Sequence, residues 1–339
     1  MGANLKDLRR KIKSISGTKK ITQAMQMVAA SKMQKAINSA EKSRSYSRLA
    51  WDIITNIGSG ATESQHPLLV KREKKNIAVI LVTSNRGLCG GLNAQILRKL
   101  NIFIKEKQEK GLVIKLFTIG NKGKQFVSRF YKDLLVADFP LPEGVIEYSD
   151  ITALGKMIID EYTKENFDRV FVFYNHFKTT LTQEAKSNQL LPIPDMNEVE
   201  EYQLGKPKTT NEKPASPAGG SEINPNDQNS NIQTSNSYKL TAMPTGRQAT
   251  SLSKEYKFEP DVKSILDTIL PKVIMTQIYQ MFLEANASEQ AARMIAMKNA
   301  TDNAGEIIGD LTLTYNSARQ AAITQELTEI TAGSEALRS

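Results

Sequence analysis

No proline interrupts this chain before Pro67, and between Gly2 and Gly58 the one glycine is Gly17. Ala, Lys, Met and Gln dominate that tract, all good helix formers, so residues 3–57 read as a single helix. Leu5, Leu8, Ile12 and Ile15 recur at three- and four-residue spacing and share one face. Ile21, Met25, Val28, Ala29, Met33 and Ala36 continue the stripe, but it drifts, because Lys19 stands where a strict heptad wants an apolar side chain. At ~1.5 Å per residue the helix runs to about 80 Å. Ordinary helices have about three turns, so one this long needs a partner along most of its length.

The partner is expected at the other end of the chain. Residues 260–331 again read as helix, with a kink at Pro271. Ile274, Ile278, Met281, Phe282 and Ala285 form a stripe, followed by Ala292, Ile295, Ile308, Leu311, Tyr315 and Ala322. Small residues (Ala291, Ala292, Ala296, Ala300, Ala304 and Gly305) let two backbones approach closely. Two readings stand: a helical bundle with a small-residue seam, or a long antiparallel coiled coil built from both termini. Length favours the second. The C-terminal helix is the longer, so its tip should project past its partner.

Between the two helices, strands alternate with helices. Residues 76–83 (NIAVILVT) are near-continuously apolar, the mark of a strand buried on both faces. Helix 92–110, strand 113–119, helix 122–131, a short strand 134–138, helix 151–166, the strong strand 169–174 and a weaker strand 189–193 follow. The alternation implies βαβ units and a mainly parallel sheet. The predicted fold class is therefore α plus α/β: a two-helix coiled coil joined to a Rossmann-like domain. The expected units are a first coil helix over 1–58, a globular domain over 75–200 and a second coil helix over 260–333. Residues 203–255, crowded with Ser, Asn, Thr, Pro, Gly and Lys, are too polar to offset their ordering entropy and read as a disordered insertion.

The charge is concentrated. Residues 1–50 hold twelve Lys and Arg against only Asp7 and Glu41, while the whole chain carries a net +9. The basic segment suits acidic protein surfaces, phosphates or a membrane surface. It lacks interleaved aromatics, and its apolar stripe is committed to helix packing, which argues against a nucleic-acid reader. The longest apolar run, 77–82, falls far short of the ~18 residues that cross a bilayer.

Chemistry is sparse. The turn after the first strand, TSNRGLCGGLN (83–93), places Gly87, Gly90 and Gly91 between a strand and a helix, where backbone N–H groups could cradle a phosphate. Its spacing matches neither nucleotide-binding fingerprint, nor does that of Gly120-Asn-Lys-Gly123. The plainer reading is that these glycines serve tight turns and close packing. Cys89 has no assignable histidine base and reads as a buried thiol. With His66 and His176 it falls short of a four-ligand zinc site, and each histidine reads as an ordinary structural one. Asp195, Glu198, Glu200 and Glu201 form an acidic cluster better read as a solvated turn than a metal site. No catalytic residue, cofactor or metal is expected.

Three stretches carry a resemblance. LKDLRRKIKSISGTKKITQAMQMVAASKM, SNRGLCGGLN and above all SEQAARMIAMKNATDNAGEIIGDLTLTYNSARQAAITQELTEITAG are similar to the gamma subunits of F-type ATP synthases, over roughly 3–200 and 256–333. The resemblance implies a non-catalytic rotor whose coil enters a ring of three alpha and three beta subunits. Its foot would meet the epsilon subunit and the membrane-embedded c-ring. It further implies beta-subunit contacts at Met25, Arg293, Arg319, Gln320 and Thr324, and a c-ring contact near Tyr256 and Glu259. Membrane association would be indirect, at the cytoplasmic face of a bacterial plasma membrane, and no nucleic acid is implied. The paired cysteines of the chloroplast type are absent, so thiol switching by that route is not expected. The 203–255 tract is longer than the family's usual link. Two rival classes predict otherwise: a nucleotide-dependent enzyme using the α/β segment, and a basic nucleic-acid-binding coil. Neither explains two long terminal helices.

Overall fold

The computed structural model describes residues 5–58, 66–70, 72–73, 75–142, 144, 146–193 and 262–336. The expected insertion 203–255, the acidic cluster at 195–201, and Tyr256 and Glu259 lie outside the described residues. Helix α1 covers Leu5–Gly58. Then come β1 (Asn76–Val82), α2 (Leu92–Glu109), β2 (Val113–Ile119), α3 (Asn121–Phe130), β3 (Leu135–Phe139), α4 (Tyr148–Thr163), β4 (Arg169–Phe177), β5 (Gln183–Leu191) and α5 (Val262–Ala336).

The five strands lie in the order β3-β2-β1-β4-β5. All neighbours are parallel except β4 and β5, so the sheet is mixed but mainly parallel. Side chains of β1 alternate between two cores, as a strand's two-residue period requires. Ile77, Val79 and Leu81 meet Ile96, Leu100 and Ile104 of α2 and Val127 of α3. Ala78, Ile80 and Val82 face the other way, toward Ile151, Leu154 and Ile158 of α4 and Ile274, Ile278 and Phe282 of α5. The first part of α5 is thus a covering layer of the α/β unit.

The last strand differs from expectation. It runs over Gln183–Leu191 rather than 189–193, pairing antiparallel with β4 through Phe171↔Gln189 to Phe177↔Gln183. Its first six residues, QEAKSN, carry no apolar run, because a half-buried edge strand lets the ladder rather than the side chains define it. A tight turn sets the pairing: Thr182 N–H donates to Thr179 Oγ1 at 3.0 Å and Thr179 N–H to the Thr182 carbonyl at 3.1 Å. At Pro271, α5 continues as helix on both sides rather than ending. Leu270 and Ile274, both fully buried, anchor it there.

Helices α1 and α5 lie against each other over most of α1, in opposite chain directions. Arg44 meets Glu284 and Thr22 meets Thr301, so α1 positions rise as α5 positions fall. The buried line on α1 is Leu8, Thr22, Ala29 and Ala36, seven or fourteen residues apart, with Met33, Ala40 and Ser47 forming a second line. The expected drift is therefore corrected: the heptad is strict, with polar Thr22 inside it, while Ile21 and Val28, assigned to the stripe by spacing, are 62% and 57% exposed. Thr22 is accommodated because Thr301 Oγ1 donates to its Oγ1 at 2.8 Å and Thr22 in turn donates to the Lys19 carbonyl at 3.0 Å. Lys19 runs alongside Gly305, where a Cβ would lie 3.0 Å from its Nζ.

Candidate subunit-contact surfaces

Arg293 sits in the wall of a groove formed by α1, the turn after β1 and α5, with Met25, Val28, Lys32, Arg86 and Leu88 also lining it. Its guanidinium is held on three sides. One nitrogen (Nη2) lies 2.7 Å from Glu289 Oε1 and 3.4 Å from the Gly87 carbonyl, and Nη1 donates to Gln290 Oε1 at 3.2 Å. The Gly87 contact ties the first glycine turn to α5. Burial pushes the Glu289 carboxyl up from its ordinary value, against the lowering influence of Arg293 and Lys32. The groove therefore combines apolar walls with positive charge.

The glycine turns have a packing reason. In this sheet order the crevice at the carboxyl ends of β1 and β4 is where ligands of open α/β sheets bind. In the turns after β1 and β2 the chain's own groups bond one another. Asn93 Nδ2 lies 2.7 Å from Ser84 Oγ and 3.2 Å from the sulfur of buried Cys89, and Ser84 Oγ donates to the Arg86 carbonyl at 2.7 Å. The first N–H groups of α3 are also engaged, by Asn85 Oδ1, the Ser84 carbonyl and Thr83 Oγ1. Gly120 has φ +88°, and a Cβ there would lie 2.1 Å from the Thr83 carbonyl oxygen, which only glycine tolerates. No group of three or more potential metal-ligating side chains occurs among the described residues.

The second surface is the far end of α5. Among the described side chains Ala318 is the last partly buried one, and 319–334 are all exposed. Arg319, Gln320 and Thr324 lie there, Thr324 donating only to the Gln320 carbonyl of its own helix at 3.0 Å. Beside them Ile323, Leu327 and Ile330 recur at four and three residues, 49%, 59% and 62% exposed. The five described residues of the expected contact set thus separate into two groups. Met25 and Arg293 share the groove, and the other three sit roughly 40 Å further along α5 at ~1.5 Å per residue. Sequence reading missed Glu289 and Gln290, which hold Arg293; a Glu four residues before an Arg on one helix was the available signal. No described helix is long and apolar enough to cross a membrane.

Comparison with known proteins agrees across the chain. The family model described as ATP synthase matches residues 4–337. An ATP synthase gamma chain of Pelagibacter ubique is 38% identical, the alignment covering 99% of this chain and all of the relative. One of Nitrosococcus oceani is also 38% identical, with the same coverage. A chain of the Euglena gracilis mitochondrial ATP synthase, solved with OSCP, F1 and c-ring in rotational state 3, superposes with TM-score 0.60 at 17% identity, covering 98% of this chain and 94% of that one. A chain from the central stalk and c-ring of the Tetrahymena thermophila mitochondrial ATP synthase gives TM-score 0.53 at 21% identity, over 83% of this chain and 99% of that one. The chain belongs to the gamma-chain family of ATP synthases.

Proposed function

We propose that this chain is the central-stalk rotor of an ATP synthase, carrying proton-driven rotation of a c-ring to the catalytic beta subunits and performing no bond chemistry itself. The observation that carries the reading is the α1–α5 pair with its bare tip: two antiparallel helices in strict seven-residue register, one outrunning the other. In this reading the pair is a left-handed coiled coil, as a sustained heptad requires. It is stiff over tens of ångströms and lopsided where α5 runs alone.

Lopsidedness is what a shaft among three equivalent catalytic subunits needs. Each beta subunit meets a different face and has its open–closed equilibrium biased by it, and only a difference in contact energy between the two states can do that. Moving a population from 1:99 to 99:1 takes about 5.5 kcal/mol, within reach of a few charged contacts plus steric exclusion. The groove with Met25 and Arg293 and the tip with Arg319, Gln320 and Thr324 are the proposed beta-facing contacts. The foot, with Tyr256 and Glu259, would face the c-ring and the epsilon subunit. The complex would lie at the cytoplasmic face of a bacterial plasma membrane, this chain peripheral to it. The test is co-purification of the tagged chain from its source cells. An ATP-hydrolysing ring of alpha and beta subunits is expected to come with it, while the chain alone hydrolyses nothing. Recovery of the chain without the ring, or nucleotide turnover by the chain alone, contradicts the proposal.

A further inference from the structure

Glu284 lies on α5 at the level where three elements meet. Its side chain is 1% exposed. Its Oε1 lies 3.6 Å from Arg44 Nη2 on α1 and accepts from Gln280 Nε2 at 3.1 Å, while its Oε2 is 2.6 Å from His176 Nδ1 near the end of β4. One turn further on, Ser288 Oγ donates to the Asn175 carbonyl of β4 at 2.9 Å. A single carboxylate therefore joins both long helices to the sheet.

A buried ion of this kind is a poor stabiliser, because desolvation offsets most of its Coulombic gain and an apolar replacement is often as stable. What it supplies is direction: a hydrogen bond to His176 and an ion pair with Arg44 fix angles that apolar packing leaves free to slip. Along the seam from Thr22 to Leu8, α1 and α5 pair only with each other among the described residues, whereas before Glu284 α5 is a layer of the α/β unit. Between the two, Asn286, Ser288 and Arg293 make further contacts with Gly144, Asn175 and Gly87. Twist applied to the α/β unit reaches the tip through this junction, where Glu284, Ser288 and Arg293 tie α5 to the sheet and its first turn and Glu284 also engages α1 through Arg44.

We propose that Glu284 is a positioning residue for rotation transfer, its carboxylate setting the angle between the helix pair and the sheet through Arg44 and His176. This rests on the rotor reading. The experiment uses the whole membrane-bound complex in vesicles, carrying Glu284→Gln, Arg44→Gln or Arg44→Lys, and reads three quantities: ring co-purification, ATP hydrolysis, and protons pumped per ATP. Glu284→Gln and Arg44→Gln are expected to assemble and hydrolyse ATP within about twofold of wild type, while protons pumped per ATP fall about threefold or more. Arg44→Lys should recover most of that loss, which a merely structural role would not require. Unchanged pumping per ATP in the assembled Gln variants overturns the proposal, and so does a failure of both to assemble, which would make the carboxylate a folding element. If Glu284→Gln alone fails to assemble, the ratio for Arg44→Gln decides. Should the unmodified chain not bring down the ring, the rotor reading fails and this proposal with it.

Discussion

The two ends of α5 share one backbone conformation and little else. Between Leu270 and Leu283 the helix is buried on several sides, with Leu270, Ile274 and Ile278 at zero exposure. From Arg319 onward every described side chain is exposed. The first stretch is helical because tertiary packing rewards it. The second stays helical because it extends an anchored helix, so the costly nucleation step is already met and each added residue needs only propagation. Its residues favour propagation, since Ala321, Ala322, Gln325, Glu326 and Leu327 are good helix formers. The lesson is that length at the tip is not the product of packing within the chain. The apolar line Ile323, Leu327 and Ile330 finds no cover among the described residues, an exposure that the proposed subunit contact would use.

The contrast can be broken most forcefully by paired truncations. Ile278→Ala should lower the stability of the purified chain by about 2–5 kcal/mol in denaturant unfolding, since it opens a cavity in a closed core. Leu327→Ala should change it by less than about 0.5 kcal/mol; equal losses at the two sites would erase the distinction. Next in size, Arg319→Ala with Gln320→Ala should weaken coupling between rotation and synthesis by about 0.5–2 kcal/mol, or several-fold, with the thermal unfolding of the chain unchanged. Unaltered synthesis and hydrolysis by the assembled complex would remove those residues from the contact.

Smaller effects sharpen the picture of the paired region. Thr301→Val should cost about 1 kcal/mol, because it removes one side of a buried hydroxyl pair, read as a lower denaturation midpoint. Glu289 holds its proton more tightly in the fold than in the unfolded chain. Its contribution to stability is therefore full below pH 4.5, the ordinary carboxyl value, and is lost as pH rises through the raised value. Glu289→Gln should flatten the pH dependence of Tm in that window. A wild-type slope in the variant would mean that Glu289 does not titrate as its burial dictates.

Much of this architecture was legible from residue pattern alone. The apolar run 76–82 announced a doubly buried strand, and the absence of proline announced α1. The seam was read less well. Counting sevens from Leu8 reaches Ile15, Thr22, Ala29 and Ala36, but polar Lys19 and Thr22 disguised the repeat, because a long aliphatic stem and a satisfied hydroxyl both fit an interface that spacing rules reserve for apolar side chains. Strand β5 was mistaken at its start since half-buried polar residues carry no period. The groove was least visible. Arg293 and Gly87 stand 206 residues apart, and only the fold brings a carbonyl of the first turn to a guanidinium on the last helix.

The most direct measurement is an intrachain cross-link between the two helices in the working complex. Thr22→Cys with Thr301→Cys, made in a Cys89→Ser background, places two thiols where the native hydroxyls stand 2.8 Å apart. If α1 and α5 turn together as one rigid shaft, oxidation forms the bond within the chain and ATP synthesis continues at the rate of the reduced enzyme. Failure of the bond to form, or synthesis that stops on oxidation and returns on reduction, would mean that the helices lie apart or must move against each other.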